Sequence, residues 1–221
     1  MFRPLLLSIL VLFFIQAGHA ADYYWVGGSG DWSDISHWAT TSGGPTKHNI
    51  VPSPNDRVFF DANSFTAPGQ TINVNNQSIF CLDMIWDGVS NNPTITAPAS
   101  NVLNVYGSLR LSANMTFSFL GSVNFLANTA GHTINMAGHR IRETTTFAGS
   151  GGVWTLQAAL QVDTTLFIKA GSLNTGNQNI SCLKLFVVPA SAVNLDLGSS
   201  RITVTGLYYR RYEWWVQDSA V

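Results

Sequence analysis

Two aspartates in the middle of the chain are the best candidates for a catalytic pair. Asp83 and Asp87 are four residues apart, just ahead of a turn predicted at Asn91-Asn92-Pro93. Hydrolysis of a glycosidic bond needs two carboxyl groups about 5–10 Å apart, so this pair makes a carbohydrate-active enzyme, a polysaccharide lyase or hydrolase, one alternative function. No further acidic partner can be identified, and the basic residues that a lyase would need show no grouping. The sequence therefore favours a protein that is not an enzyme.

Aspartates near the N-terminus are candidates for cation binding. They are Asp31, Asp34, Asp56 and Asp61. Carboxylates together with backbone carbonyls could hold Ca²⁺, which takes about six to eight oxygen ligands. The spacing is not that of a calcium loop, and Asp side chains commonly bond to nearby backbone amides in turns. The sequence favours this turn role and leaves calcium as the weaker alternative, and it predicts no other metal and no cofactor.

Three tryptophans in the same segment could stack against sugar rings. Trp25, Trp32 and Trp38 lie close together in sequence, next to Tyr23 and Tyr24. An exposed platform of such rings would make a glycan-binding module, which is a further candidate function. Aromatic side chains of this size more often bury about 150–250 Å² each in a core. We therefore expect these tryptophans to pack inside a cap, with glycan contact as the alternative.

Internal repeats indicate the kind of fold that positions these residues. Segments 71–82 and 172–183 share Asn, Asn, Gln, Ile, Cys and Leu at an offset of 101 residues. Segment 133–141 shares the Ile/Leu-Asn start and the later Ile with segment 172–183, at an offset of 39 residues. Both offsets fit a unit of about 20 residues, which is in the range of solenoid repeats.

Short strands predict an all-β chain. Between 71 and 205, runs of alternating apolar residues are broken by Gly, Asn, Pro and Ser, and the clearest run is 103–111, with a bend expected at Gly107. Strands of three to five residues are too short for a typical sandwich, whose turn signals come about every 8–12 residues. We predict a right-handed parallel β-helix with an N-terminal aromatic cap. A sandwich or jelly roll is the alternative.

The repeat alignment makes a prediction about the two cysteines. It puts Cys81 and Cys182 at equivalent positions five coils apart, which is roughly 24 Å along the axis at the usual strand spacing. A disulfide requires Cα atoms within about 7 Å of each other. The alignment thus predicts two separate, buried, reduced thiols, although an exported protein with two cysteines would ordinarily suggest a disulfide.

Composition and the N-terminus predict the location of the protein. Residues 1–20 have the pattern of a secretory signal peptide, with Arg3, an apolar stretch at 5–15 and small-x-small cleavage at Gly18-His19-Ala20. No later segment is long and apolar enough to span a bilayer. Charged residues are 10% of the chain, against about 25% in ordinary domains. The formal charge of −1 argues against a nucleic-acid partner, which would need a basic patch.

Two motifs in the N-terminal segment carry a resemblance to a known group of proteins. The pattern W-x-G-G-x-G-x-W-S-D-x-x-H-W begins at Trp25, and P-x-x-x-D-x-V-x-F-D begins at Pro52. These motifs resemble the start of large exported adhesin-like proteins of bacterial surfaces, including those of gliding bacteria, and more loosely autotransporter passengers. The resemblance covers 22–65 closely and 66–205 in texture. The chain is shorter than typical members, and its last residues, with Trp214-Trp215, match no repeat.

The resemblance implies a role for particular residues and for the whole chain. Residues that it places in the module opening a right-handed β-helix are Trp25, Trp32, Trp38, Asp56, Phe60 and Asp61. Similar proteins are structural or adhesive, not catalytic.

Together these features predict a signal peptide at 1–20, a cap at 21–70, β-helix coils at 71–205 and a tail at 206–221 that is either a second cap or a truncated end. The expected protein is secreted or on the cell surface, with an adhesive or structural role. Its expected partners are glycans or components of a cell surface or matrix.

Overall fold

A computed structural model describes residues 20–187 and 193–206. The predicted signal peptide up to residue 19, and the predicted tail from residue 207 onwards, lie outside the described residues.

The described residues form strands β1 to β19 and one short 3₁₀ helix, Ile35–His37, between β2 and β3. The strands are β1 Asp22–Trp25, β2 Gly30–Asp31, β3 Trp38–Ala39, β4 Arg57–Phe60, β5 Thr71–Asn73, β6 Ser78–Cys81, β7 Met84–Trp86, β8 Thr94–Ala97, β9 Val102–Val105, β10 Leu109–Arg110, β11 Thr116–Phe119, β12 Ser122–Phe125, β13 His132–Asn135, β14 Arg140–Ile141, β15 Thr145–Leu156, β16 Leu160–Asn174, β17 Ile180–Val187, β18 Val193–Asp196 and β19 Ile202–Val204. Within these residues no helix is long and apolar enough to cross a membrane.

The strands wind into a three-sided parallel β-helix of about six turns, which confirms the predicted β-helix. The first face contains β1, β4, β7, β10, β13, the C-terminal parts of β15 and β16, and β18. The second face contains β2, β5, β8 and β11 as one four-stranded sheet, followed by β14, the starts of β16 and β17, and β19. The third face contains β6, β9, β12 and the remaining parts of β15, β16 and β17.

On each face, the inward apolar side chains of successive coils lie one above another and form a buried row. On the second face Ile72, Ile95 and Phe117 are aligned and buried. Successive partners on the third face, from Ile79 through Leu103 to Leu185, follow at intervals of 19 to 24 residues. This agrees with the predicted unit of about 20 residues. Because every coil hydrogen-bonds to its neighbours and shares one core with them, no coil is stable alone.

The repeat alignment at an offset of 39 finds the right face but not the register, because Trp154 pairs with His132 on one side and Leu173 on the other, and the alignment at an offset of 101 is wrong. Segments 133–135 and 172–174 both lie on the first face, two coils apart, and Asn135 and Asn174 make the same turn by accepting a hydrogen bond from the backbone amide two residues later. Segment 71–73 lies instead on the second face. The alignment of the cysteine-containing segments was therefore wrong, because inward residues of different faces have the same alternating pattern.

The cysteines are buried and free, as predicted, although they are not at equivalent positions. Cys81 lies on the third face opposite Val105, and Cys182 lies on the second face between Val162 and Val204. Both thiols point into the core, where they pack as small apolar groups.

The parallel ladders begin inside the segment predicted as the cap. β1 pairs with β4, and β2 pairs with β5, so the first coil starts at Asp22. The other edge of β1 is covered by the antiparallel strand β3, with Trp25 opposite Trp38. This short strand and the aromatic side chains beneath it close the N-terminal end of the β-helix. An edge that is covered in this way cannot pair with another chain.

Candidate functional site

The outer side of the four-stranded sheet carries two parallel rows of small polar side chains. One row is Thr71, Thr94 and Thr116, and the other is Asn73, Thr96 and Ser118. We call these six residues the hydroxyl face. They point outward because they alternate with the buried Ile72, Ile95 and Phe117 of the same strands. Ladder pairing fixes the distance between successive coils at about 4.8 Å, so the hydroxyl groups form a regular flat array.

The side chains of this array have unused hydrogen-bonding capacity. Apart from a long bond of 3.4 Å from Thr71 Oγ1 to the Gly69 carbonyl, none of the six side chains makes a hydrogen bond in the part of the chain that the structure describes. Elsewhere many outward polar groups bond to one another. The Asn124 amide donates to Asn104 Oδ1 at 3.0 Å on the third face, and the Asn174 amide donates to Asp196 Oδ2 at 2.9 Å on the first. The donors and acceptors of the hydroxyl face are thus open to solvent or a ligand.

The three predicted tryptophans are buried and cannot stack against a sugar ring. Trp25 and Trp38 are 0% exposed and Trp32 is 1% exposed. The indole nitrogen of Trp25 donates to the Gly28 carbonyl at 2.7 Å, and that of Trp38 donates to the Trp32 carbonyl at 2.9 Å. Around Phe60 the three rings pack at centroid distances of 6.1 to 6.4 Å. This cluster near the N-terminus is the predicted aromatic cap.

The glycine-rich motif between the tryptophans is explained by packing around His37. The imidazole stacks on Trp25 with centroids 4.6 Å apart, and its Nδ1 lies 2.6 Å from the Val26 carbonyl oxygen. A Cβ atom on Gly30 would collide with this ring. Gly27 has a φ of +85°, which a residue with a side chain rarely adopts. The motif therefore shapes the cap by making room for the His37 ring.

Two of the four predicted calcium ligands, Asp34 and Asp61, have roles in turns. Asp34 caps the 3₁₀ helix, and its Oδ1 accepts a hydrogen bond from Ser36 N at 2.9 Å. Hydrogen bonding to the carboxylate by the backbone and the side chain of Ser36 lowers the pKa of Asp34. Asp61 Oδ1 accepts from Asn63 N at 2.8 Å. Asp31 is exposed at the edge of the second face, and Asp56 is buried near Ala21. No group of three or more Asp, Glu, His or Cys side chains in the described residues could hold a metal ion.

Asp83 and Asp87 are not arranged as a catalytic pair. They flank β7, Met84–Trp86, and four residues of extended chain span about 13 Å. That is beyond the roughly 5–10 Å that glycoside hydrolysis requires. Asp83 Oδ1 accepts from Ser108 N at 2.6 Å, and Asp87 forms an exposed ion pair of 2.7 Å with Arg110. Both carboxylates therefore serve to connect neighbouring coils.

Sequence reasoning expected flat rows of Asn and Thr but did not identify the six residues of the hydroxyl face, although their signal is present. The triplets Thr71-Ile72-Asn73, Thr94-Ile95-Thr96 and Thr116-Phe117-Ser118 each place a buried apolar residue between two small polar ones. They recur at intervals of 23 and 22 residues, which are single-coil intervals. The alignment instead matched the first triplet to segments on another face, so this array was not recognised.

The geometry defines a parallel β-helix with an ordered array of small polar side chains on the outer side of its second face. Searches among protein-family models, curated proteins and solved structures found no match for this chain.

Proposed function

We propose that this chain is an exported, non-catalytic β-helix protein of the cell surface or extracellular space, with an adhesive role directed at glycans. The observation that carries the proposal is the hydroxyl face, where ordered hydroxyl and amide groups make almost no hydrogen bonds to the residues that the structure describes. Buried polar groups are normally hydrogen-bonded, so a ligand that covered this face would have to supply those bonds. A polysaccharide, with hydroxyl groups along its length, has suitable chemistry.

Preorganisation of the face favours such binding. Threonine is β-branched and stiff at χ1. The threonines of the array lie on β5 and β8, which are paired on both sides, and on β11, which pairs with β8. A ligand therefore loses less free energy to the ordering of side chains than it would on a surface of long flexible residues. The methyl groups of the same threonines offer apolar contacts to the C–H groups of a sugar.

Export is supported by the pattern of residues 1–20 and by the low content of charged residues. The resemblance of the two N-terminal motifs to adhesin-like proteins of bacterial surfaces points in the same direction. Trp32, which we considered as a sugar-stacking residue, is buried, so a glycan would contact the second face and not the cap.

The proposal is tested by glycan-array binding of the processed chain, beginning at residue 21. In the test variant Thr94→Val, Thr96→Val and Thr116→Val remove three hydroxyl groups but keep the β-branched shape. The control makes the same change on another face, at the outward pair Thr133→Val and Thr155→Val, which are aligned on the first face. We expect the test variant to lose binding by about tenfold or more, since each lost hydrogen bond contributes about 0.5–1.5 kcal/mol. The control should bind like the parent chain.

Two results would contradict the proposal. Equal loss of binding in both variants, or no binding of any glycan by the folded parent chain, would exclude the hydroxyl face as an adhesive surface. Release of reducing sugar or of an unsaturated product from a bound glycan would instead favour the enzymatic alternative, with a catalytic pair other than Asp83 and Asp87.

A further inference from the structure

Asp56 is a buried carboxylate for which the described part of the chain supplies no cationic partner. It is 6% exposed, and its Oδ2 accepts hydrogen bonds from the Ser53 backbone amide at 2.9 Å and the Ser53 hydroxyl at 2.5 Å. Among the described residues no Lys, Arg or His forms an ion pair with it. A carboxylate buried without an opposite charge is costly, and native proteins usually pair such a group.

The other oxygen of Asp56 faces the predicted cleavage site. Asp56 Oδ1 accepts a hydrogen bond of 3.0 Å from the backbone nitrogen of Ala21. The carbonyl of Ala21 in turn accepts a hydrogen bond from Arg57 N at 2.9 Å. Both the nitrogen and the carbonyl oxygen of Ala21 are therefore bonded, by Asp56 and by the first residue of β4. Ala20, by contrast, is exposed. Ala21, the residue that follows Gly18-His19-Ala20, is therefore hydrogen-bonded to the folded domain.

We propose that cleavage after Ala20 creates an N-terminal ammonium group on Ala21 that forms a buried ion pair with Asp56, so that Asp56 anchors the mature N-terminus. Hydrolysis of the peptide bond between Ala20 and Ala21 consumes one water molecule, leaves a carboxylate on Ala20 and frees the amine of Ala21. That amine takes up a proton at neutral pH. The inference rests on the proposed export, because export is what removes residues 1–20.

The ion pair would be specific for this cleavage position. An ammonium group has three donors and a full positive charge, whereas the amide of an uncleaved chain has one donor and no charge. Charge-assisted hydrogen bonds are roughly twice as strong as neutral ones. Cleavage one residue later would remove the nitrogen that reaches Asp56.

The first experiment determines the mature N-terminus. The full 1–221 chain is expressed with secretion, and the product is analysed by intact mass and N-terminal sequencing. We expect a chain that begins at Ala21. A processed product that begins at any other residue would overturn the inference while leaving export intact.

The second experiment measures the ion pair in chains made without secretion. A removable fusion partner gives one form that begins at Ala21 and a matched form with one glycine before Ala21, each with Asp56 and with Asp56→Asn. With Asp56 present, we expect the glycine-extended form to melt roughly 3–12 °C lower than the Ala21 form. With Asp56→Asn, that difference should disappear.

A readout that does not depend on stability completes the test. The amine of the Ala21 form should react with an acylating reagent several-fold more slowly than the amine of the glycine-extended form, because only the former is engaged by a buried carboxylate. Equal melting temperatures and equal acylation rates for the two forms with Asp56 would overturn the inference alone. A secreting host that leaves residues 1–20 attached would contradict the proposed export itself.

Discussion

Two neighbouring phenylalanines in β4 provide a direct test of which side of each strand faces the core. Phe60 is 0% exposed and stacks on Trp86 with ring centroids 4.0 Å apart, in the centre of the aromatic cap. Phe59 points outward, where it stacks on Tyr24 at 4.9 Å with Arg57 over its ring. Phe60→Ala and Phe59→Ala are the same chemical change at adjacent positions. Only their orientation differs.

The two changes should differ strongly in their effect on stability. Truncation of a fully buried Phe to Ala costs about 3–5 kcal/mol, because the transfer free energy is lost and a cavity remains. An aromatic pair across strands on a surface contributes about 0.2–1 kcal/mol. The difference of about 3 kcal/mol corresponds to roughly 6–12 °C in melting temperature for a chain of this size.

Thermal unfolding followed by far-ultraviolet circular dichroism and tryptophan fluorescence would measure both variants. The fluorescence signal is informative because four tryptophans of the cap region surround Phe60 within 6.4 Å between centroids. If Phe59→Ala lowered the melting temperature as much as Phe60→Ala, the assignment of inward and outward positions in β4, and with it the register of the first two coils, would be wrong.

Three further predictions concern the core and the contacts between coils. Burial raises the pKa of the Cys81 thiol, with a smaller contribution from the charge of Asp83, and raises that of Cys182 to about 11. The folded state then keeps protons that unfolded thiols release above about pH 8.5. The free energy of unfolding should therefore fall as the pH rises past that value, whereas the thiols should not affect it at pH 7. Denaturant titrations between pH 7 and 10 would measure this fall. Asn101→Ala should lower the free energy of unfolding by about 2–4 kcal/mol, because its buried amide donates to two backbone carbonyls at 2.7 and 2.8 Å, whereas the exposed Asn128→Ala should have little effect in the same urea titration. Gly149→Ala should strongly reduce the melting temperature, since its Cβ would collide with the carbonyl oxygen of Ala127; an unchanged melting temperature would show that the coils can separate there without cost.

The local sequence pattern predicted most of the strands because the alternation of apolar residues reflects burial directly. The stretch 103–111 is an example: it forms β9, bends at Gly107 and continues as β10. A Cβ at Gly107 would collide with the Asp83 carboxylate of the preceding coil, which explains why the bend requires glycine. The burial of the tryptophans was predicted separately, from the large area that such rings usually bury.

Register between coils was harder to predict, because it depends on turn lengths that the repeats do not conserve. Thr71-Ile72-Asn73 and Ser172-Leu173-Asn174 look alike but lie on different faces. Inward alternation is the same on all three faces, so similarity of strands alone cannot assign a strand to a face. The hydroxyl face was missed for this reason: it becomes visible only when Thr71, Thr94 and Thr116 are placed one above another.

β3 covers one edge of β1, so further coils can be added to the β-helix only at the other edge. β3 blocks the outer side of β1, whereas the inner side accepts β4 and, through it, every later coil. A chain that emerges with its N-terminus first would therefore complete the aromatic end before the other strands exist, and each finished coil would then act as the template for the next. Folding in this order needs no long-range search for partners. It also means that evolution can lengthen such a protein by duplicating coils beyond the first two without altering the end from which folding starts.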